Sequence, residues 1–372
     1  MKFKYIFPVV FFIAACTSTT GEPDFPLDAH VVKPRYSKLF ELAFTQTDTF
    51  IKLRDPADST RILGAFFWGT GKEKKQGFVR LKNRNKVVAL SAVFVGMMEA
   101  LKSENRIIAV DNSGYITSKR TNTRIAEGKV ISVAASGNLQ SEKIFKLQPD
   151  LILGYFIDAK GKSELDQLNS KGIPVLYIQN FLENHPLGRA EWICLFGALC
   201  GHWEMAQAQF REIEEHYLST AIRASEVKWK PSVLCNAPFS GIWDVPSGES
   251  FMAKLIEDAG GAYVFTQYRG AGRIPMDIEK VYKTGSNAIF WLNPGPCRDT
   301  TCLEQIDSRL KNFKAFNTGN IYNSTRMQNK NGANAWWEYG VLRPDLALLD
   351  IFTILHPEVA NEHELVFFEK LN

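Results

Sequence analysis

Apolar residues along this chain follow three successive rhythms. Between 30 and 86 they alternate with polar residues and turn formers, at 40–44, 49–53, 64–68 and 77–81. A period of two predicts short antiparallel strands, hence a β-rich N-terminal extension over 30–86. From 87 the pattern changes to compact apolar runs, at 87–90, 106–110, 129–133, 151–153 and 175–178, separated by helix-length stretches. Runs without alternation read as strands buried on both faces, and their alternation with helices predicts a mostly parallel sheet. The third rhythm fills 203–228. Trp203, Ala206, Phe210, Ile213 and Tyr217 advance in steps of three and four, one apolar stripe on a long polar helix. Residues 187–199, just before it, are apolar nearly all round and predict a buried helix stopped by Gly201.

After the long helix the strand–helix pattern restarts, with strands at 231–235, 288–292 and 319–322 and helices at 251–259 and 344–355. One motif occurs on both sides. Glu142-Lys143-Ile144-Phe145-Lys146 precedes one buried strand, and Glu279-Lys280-Val281-Tyr282-Lys283 precedes another. The repeat predicts an α/β protein of two lobes, 87–201 and 229–372, joined by a single long helix over 202–228.

The first residues carry an export pattern. Lys2 and Lys4 precede an apolar run too short to span a bilayer, and small residues lead to Cys16. This resembles the lipobox of bacterial lipoproteins. The resemblance implies cleavage before Cys16, lipid on its sulfur, a polar tether over 17–29, and a periplasmic, membrane-anchored protein. Residues 1–16 then stand outside the fold.

Length and charge narrow the partners. A chain of 372 residues accommodates two domains, and its net charge of +4 is dispersed, so no nucleic-acid partner is expected. A monomer that meets the membrane only through its lipid is expected. Cys194, Cys200 and Cys235 sit in apolar runs and read as core. Cys297 and Cys302 flank a polar loop, where an oxidising compartment permits a disulfide; two free thiols are the alternative. An enzyme is not expected. The chain has no Gly-x-Ser-x-Gly elbow, no His-Glu-x-x-His helix and no phosphate-binding glycine loop. A hydrolase on the same scaffold, or a lipoprotein that only binds another protein, are the alternative functions.

Residues 86–111 (KVVALSAVFVGMMEALKSENRIIAVD), 144–155 (IFKLQPDLILGY) and 172–178 (GIPVLYI) resemble substrate-binding proteins of metal-chelate ABC importers, which take up ferric siderophores, haem and cobalamin. The extension, residues 185–192 (HPLGRAEW) and residues 332–334 resemble the branch found in Bacteroides-type bacteria. The resemblance implies two three-layer α/β lobes joined by a rigid helix, with the chelate held between them. It also implies that one exposed Glu on each lobe docks on the importer permease. Glu279 matches in the second lobe; in the first the choice lies between Glu164 and Glu142, with Glu164 preferred.

In open α/β sheets, ligands bind beyond the carboxyl ends of the strands. Those ends put forward Ser91, Tyr115, Asn138 and Tyr155 in the first lobe. They put forward Phe239, Trp243, Arg269, Asn293, Arg326 and Trp336 in the second. The set is rich in aromatics and in Asn and Arg, suiting a large planar ligand held by stacking and a few hydrogen bonds. None of the six histidines falls at a strand end, so no protein-built metal site and no resident cofactor is expected. Any metal arrives wrapped in its chelator.

Overall fold

The computed structural model describes residues 22–71, 74–135, 137–360 and 363–372. Cys16, the export segment and Ser136 lie outside the described residues.

The extension is a five-stranded sheet in sequence order: His30–Val32, Phe40–Phe44, Asp48–Arg54, Ile62–Gly69 and Val79–Arg80. Its alternation sorts the side chains. Ile51 and Leu53 join the main core, while Phe50, Phe67 and Phe78 form a second cluster on the other face. Residues 22–29, expected as tether, belong to this fold. The Phe25 ring lies 5.9 Å from that of Phe78 and 6.4 Å from that of Phe50. Glu22 pairs with Lys52 at 2.9 Å and Arg54 at 3.2 Å.

The first-lobe sheet runs Val175–Tyr177, Leu151–Gly154, Val87–Ala89, Ile107–Val110, Ile131–Ser132, all parallel. Its residues are covered on both faces. Val88 and Ile152 pack with Leu165 and Leu168; Val87, Ala89, Leu151 and Leu153 face the main core. The second-lobe sheet runs Ala262–Tyr263, Ser232–Cys235, Phe290–Leu292, Ile321–Asn323, closed by an antiparallel edge strand, Glu369–Lys370. A further antiparallel pair, Trp243–Pro246 with Arg273–Met276, folds over this lobe.

One helix, Trp203–Ser225, connects the lobes. Its buried stripe is Ala206, Phe210, Ile213, Tyr217, Thr220 and Ala224. It packs on Pro186–Cys200 of the first lobe and on Pro344–Leu355 of the second. Gly197 permits the first approach, because a Cβ there would lie 2.3 Å from that of Ala206. The Tyr217 hydroxyl donates to Asp258 at 2.6 Å, tying the helix to the second lobe.

The extension is strapped to this hinge through buried carboxylates. Glu191 accepts from the backbone N–H groups of Arg35, Tyr36 and Ser37 at 2.7–2.8 Å. Glu183 accepts from those of Lys38 and Leu39, from the Ser37 hydroxyl and from Trp192 Nε1. Tyr36 donates to Glu214 of the connecting helix at 2.6 Å.

Candidate functional site

The carboxyl ends of the first-lobe strands carry two exposed tyrosines. Tyr115 closes the short turn Ser113–Tyr115 beyond Ile107–Val110 and is 61% exposed; Tyr155 follows Leu151–Gly154 and is 39% exposed. The Tyr155 ring meets those of Phe94 at 6.3 Å and Phe181 at 5.9 Å edge-on. Burial raises its hydroxyl pKa, with Asp111 and Tyr115 adding to the shift. Burial likewise raises the Asp111 carboxyl, whose Oδ1 has no hydrogen-bond partner. The wall is therefore aromatic, with a partly buried carboxyl of raised pKa beside it. Ser91 spends its hydroxyl capping the helix Ala92–Ala100, accepting from Val93 N–H at 3.3 Å. Asn138 is exposed on the strand Asn138–Leu139, which pairs antiparallel with Ala134–Ala135, and accepts from Lys160 Nζ at 2.7 Å.

In the second lobe, Asn236 and Asn293 end neighbouring strands in left-handed backbone, at φ 62° and 54°. Asn tolerates that region better than most residues. Asn236 Nδ2 donates to Asp244 O at 2.6 Å, whereas Asn293 Oδ1 is buried without a partner. Phe239 is 81% exposed at the tip of the next turn. Arg269 is exposed, Arg273 pairs with Asp244 at 3.1 Å, and Arg326 pairs with Glu364.

Two expected contact residues are core instead. Trp243 is fully buried, stacked 5.6 Å from Trp291, with its Nε1 donating to Cys235 O at 3.0 Å. Trp336 packs edge-on against Phe251, Phe367 and Phe368. Its neighbour Trp337 is the exposed one, at 64%. Both tryptophans lie in a single π-helical turn, Trp336–Gly340, which sends adjacent side chains to opposite environments. The Trp-Trp pair gave no sequence signal to choose between them.

That same turn joins the lobes, which sequence reasoning missed. Glu338 is fully buried and reaches into the first lobe. Its carboxylate accepts from Thr117 N–H at 2.6 Å, Ser118 N–H at 3.2 Å, and the Thr117 hydroxyl. Beside it Tyr339 donates to Glu99, and Gly96 leaves room for the Glu338 carbonyl, which a Cβ would approach to 2.5 Å. Burial raises the Glu338 pKa against these donors, and the Glu99 charge adds to the rise.

Glu142 and Glu279 both stand in the first turn of their helices, Ser141–Leu147 and Ile278–Gly285, and both are exposed. Glu164 lies inside the helix Ala159–Ser170, 3.8 Å from Lys160. Position therefore pairs Glu279 with Glu142 rather than with Glu164. Cys297 and Cys302 are joined in a disulfide, and Cys194, Cys200 and Cys235 are buried free thiols. Among the described residues, no three His, Cys, Asp or Glu side chains gather to hold an ion.

Residues 87–325 match the periplasmic binding protein family, most of the chain outside the extension, and the chain belongs to that family. An uncharacterized lipoprotein of Methanocaldococcus jannaschii is 26% identical over 297 residues, covering 77% of this chain and 69% of that protein. The fold is shared with a periplasmic haem-binding protein from Pseudomonas aeruginosa (TM-score 0.58, 16% identity, 77% of this chain and 98% of that one). It is shared also with a periplasmic haem-binding protein of Vibrio cholerae (TM-score 0.55, 16% identity, 72% and 99%).

Proposed function

We propose that this periplasmic binding protein is a lipid-anchored receptor that captures a metal chelate between its lobes and delivers it to an ABC importer. The chelate is haem, a ferric siderophore or a corrinoid. The observation that carries the reading is the pair Tyr115 and Tyr155, two exposed rings beyond the carboxyl ends of the strands that flank Val87–Ala89 in one sheet, the place where open α/β sheets bind ligands. Phe239 and Trp337 are the corresponding exposed rings of the second lobe. Planar macrocycles and aryl chelates stack on such rings, and a tyrosine phenolate is a known type of ligand to haem iron. Two structural neighbours are themselves haem-binding proteins, which supports haem as the first chelate to try. The Cys16 lipobox supplies the anchor. Glu142 and Glu279 supply the matched carboxylates that meet the permease, one per lobe.

Titration of the chain from Thr17 onward, which holds every described residue, tests this reading. Haemin, cyanocobalamin and a panel of ferric siderophores are added while tryptophan fluorescence and melting temperature are followed. One chelate should quench the fluorescence and raise the melting temperature, and replacing Tyr115 and Tyr155 by Ala should weaken its binding about tenfold or more. No response to any chelate overturns the carrier reading.

A further inference from the structure

Charge is small over the whole chain but uneven along it. Residues 74–84 hold Lys74, Lys75, Arg80, Lys82 and Arg84 and no acidic residue. This segment follows one edge of the extension sheet. Val79–Arg80 is its outermost strand, paired with Phe66 and Phe67. Arg80 donates to the Gly69 carbonyl at 3.1 Å, with its Cζ 5.5 Å from the ring centre of Phe67. Arg84 Nε donates to the Leu199 carbonyl at 2.9 Å, and its Cζ lies 4.9 Å from the ring centre of Trp68. Lys74 and Lys82 are exposed. Among the described residues no carboxylate pairs with Lys74, Arg80, Lys82 or Arg84. The run ends at Asn85 and Lys86, whose N–H groups donate to Asp150 at 2.8 and 2.9 Å. Cations also guard an edge strand against pairing, but this strand is two residues long and offers little edge to guard.

The docked N-terminal segment meets the same edge. A Cβ on Gly77 would lie 2.6 Å from that of Pro23, and Phe78 packs with Phe25. Glu22 and Pro23, through which the fold continues toward Cys16, therefore stand beside the basic segment. They do not neutralise it. The Glu22 carboxylate is taken by Lys52 and Arg54, which leaves Asp24 and Asp28 as the spare acids of residues 22–29.

We infer that the edge carrying Lys74, Arg80 and Lys82 is a membrane-facing surface that lies on anionic phospholipid headgroups. The inference rests on the lipid anchor proposed above and not on the identity of the cargo. The sequence alone gives this protein one contact with the membrane, its lipid; the folded edge adds a second. Uncompensated cations beside the point of attachment are attracted by an anionic surface within a Debye length, and each adds to the binding. An acyl chain fixes only where the protein is tied. A basic edge beside the tie also fixes which face looks down.

The test uses the chain from Thr17 onward, so that no lipid contributes, sedimented with vesicles at low salt. Vesicles of equal parts phosphatidylglycerol and phosphatidylcholine should bind it, with a preference of about tenfold or more over phosphatidylcholine alone. Raising the salt to about 0.5 M should abolish that preference. Lys74→Gln with Lys82→Gln should weaken binding about tenfold or more, and the same two changed to Arg should retain it. Lys228→Gln with Lys230→Gln, an equal loss of charge at exposed positions of the other lobe, should change it less than twofold. Should the first variant fail to fold, the lipid preference of the unaltered protein still decides. No binding, equal binding to both vesicles, or an equal loss in the two glutamine variants overturns the inference. The mass of the protein extracted from cells decides the anchor separately: an unacylated Cys16 with vesicle binding intact supports the basic edge and overturns the anchor alone.

Discussion

Glu338 is a carboxylate taken fully out of water to hold two lobes together. Replacing it by Ala would leave the N–H groups of Thr117 and Ser118 unmatched, at roughly 1–3 kcal/mol for each donor. Its pH behaviour follows from the direction of its shift. Burial, reinforced by Glu99, raises its folded pKa above the unfolded value. The folded state therefore binds the proton more tightly. Its contribution is fully present below the ordinary Glu pKa and is lost as pH rises through the raised value. Thermal melts of the protein and of Glu338→Gln across the acid range should show a falling stability that is shallower in the variant; parallel curves would refute the assignment. Single residues were the hardest scale to read in advance. The exposed place of Tyr155 was legible because it directly follows the strand Leu151–Gly154, and that of Tyr115 because it lies in the turn beyond Ile107–Val110. Trp243 was not, because its fate depends on stacking with Trp291, 48 residues on, and on a carbonyl of the preceding strand. Glu338 was invisible as a lobe-joining residue, since it acquires meaning only from Thr117 and Ser118 in the other lobe.

Among the elements, the connecting helix has the clearest sequence basis and the clearest consequence. Its stripe of steps of three and four was visible, and the same positions face the helices of both lobes. Glu212 lies on its exposed side. A proline there removes one helical hydrogen bond and clashes with the preceding turn, at about 3 kcal/mol or more. Glu212→Pro should therefore weaken chelate binding without touching the cleft, through a less fixed distance between the lobes. Unchanged affinity in a folded variant would make the helix a passive surface element. Parallel strands were legible because burial on both faces leaves runs without polar interruption. The pair Trp243–Pro246 and Arg273–Met276 was not, since its partners are far apart in sequence and each contains a proline. Glu369–Lys370 is too short to show any period.

At the scale of the molecule, the repeated Glu-Lys-x-x-Lys segment makes the two-lobe plan legible in the sequence. It also underlies the delivery surface proposed above. Glu142 and Glu279 start equivalent helices on the two lobes, exposed and of one sign. Replacing both by Arg should abolish importer-dependent uptake in cells while leaving chelate affinity within about twofold, because rim charges act on a partner rather than on the cleft. Uptake at the unaltered rate would remove them from the interface.

The docking of residues 22–29 on the extension sheet sets a length that matters in the envelope. Phe25 and Glu22 hold the chain to the folded body. With Cys16 acylated as proposed, only six residue steps separate lipid from fold, a leash of about 20 Å at most. A receptor so tied explores a thin layer rather than a volume. Its meeting with an importer becomes a search in a plane, governed by how many copies share each patch of membrane. Cargo released by such a receptor re-enters the same layer, where the next copy is closer than the bulk.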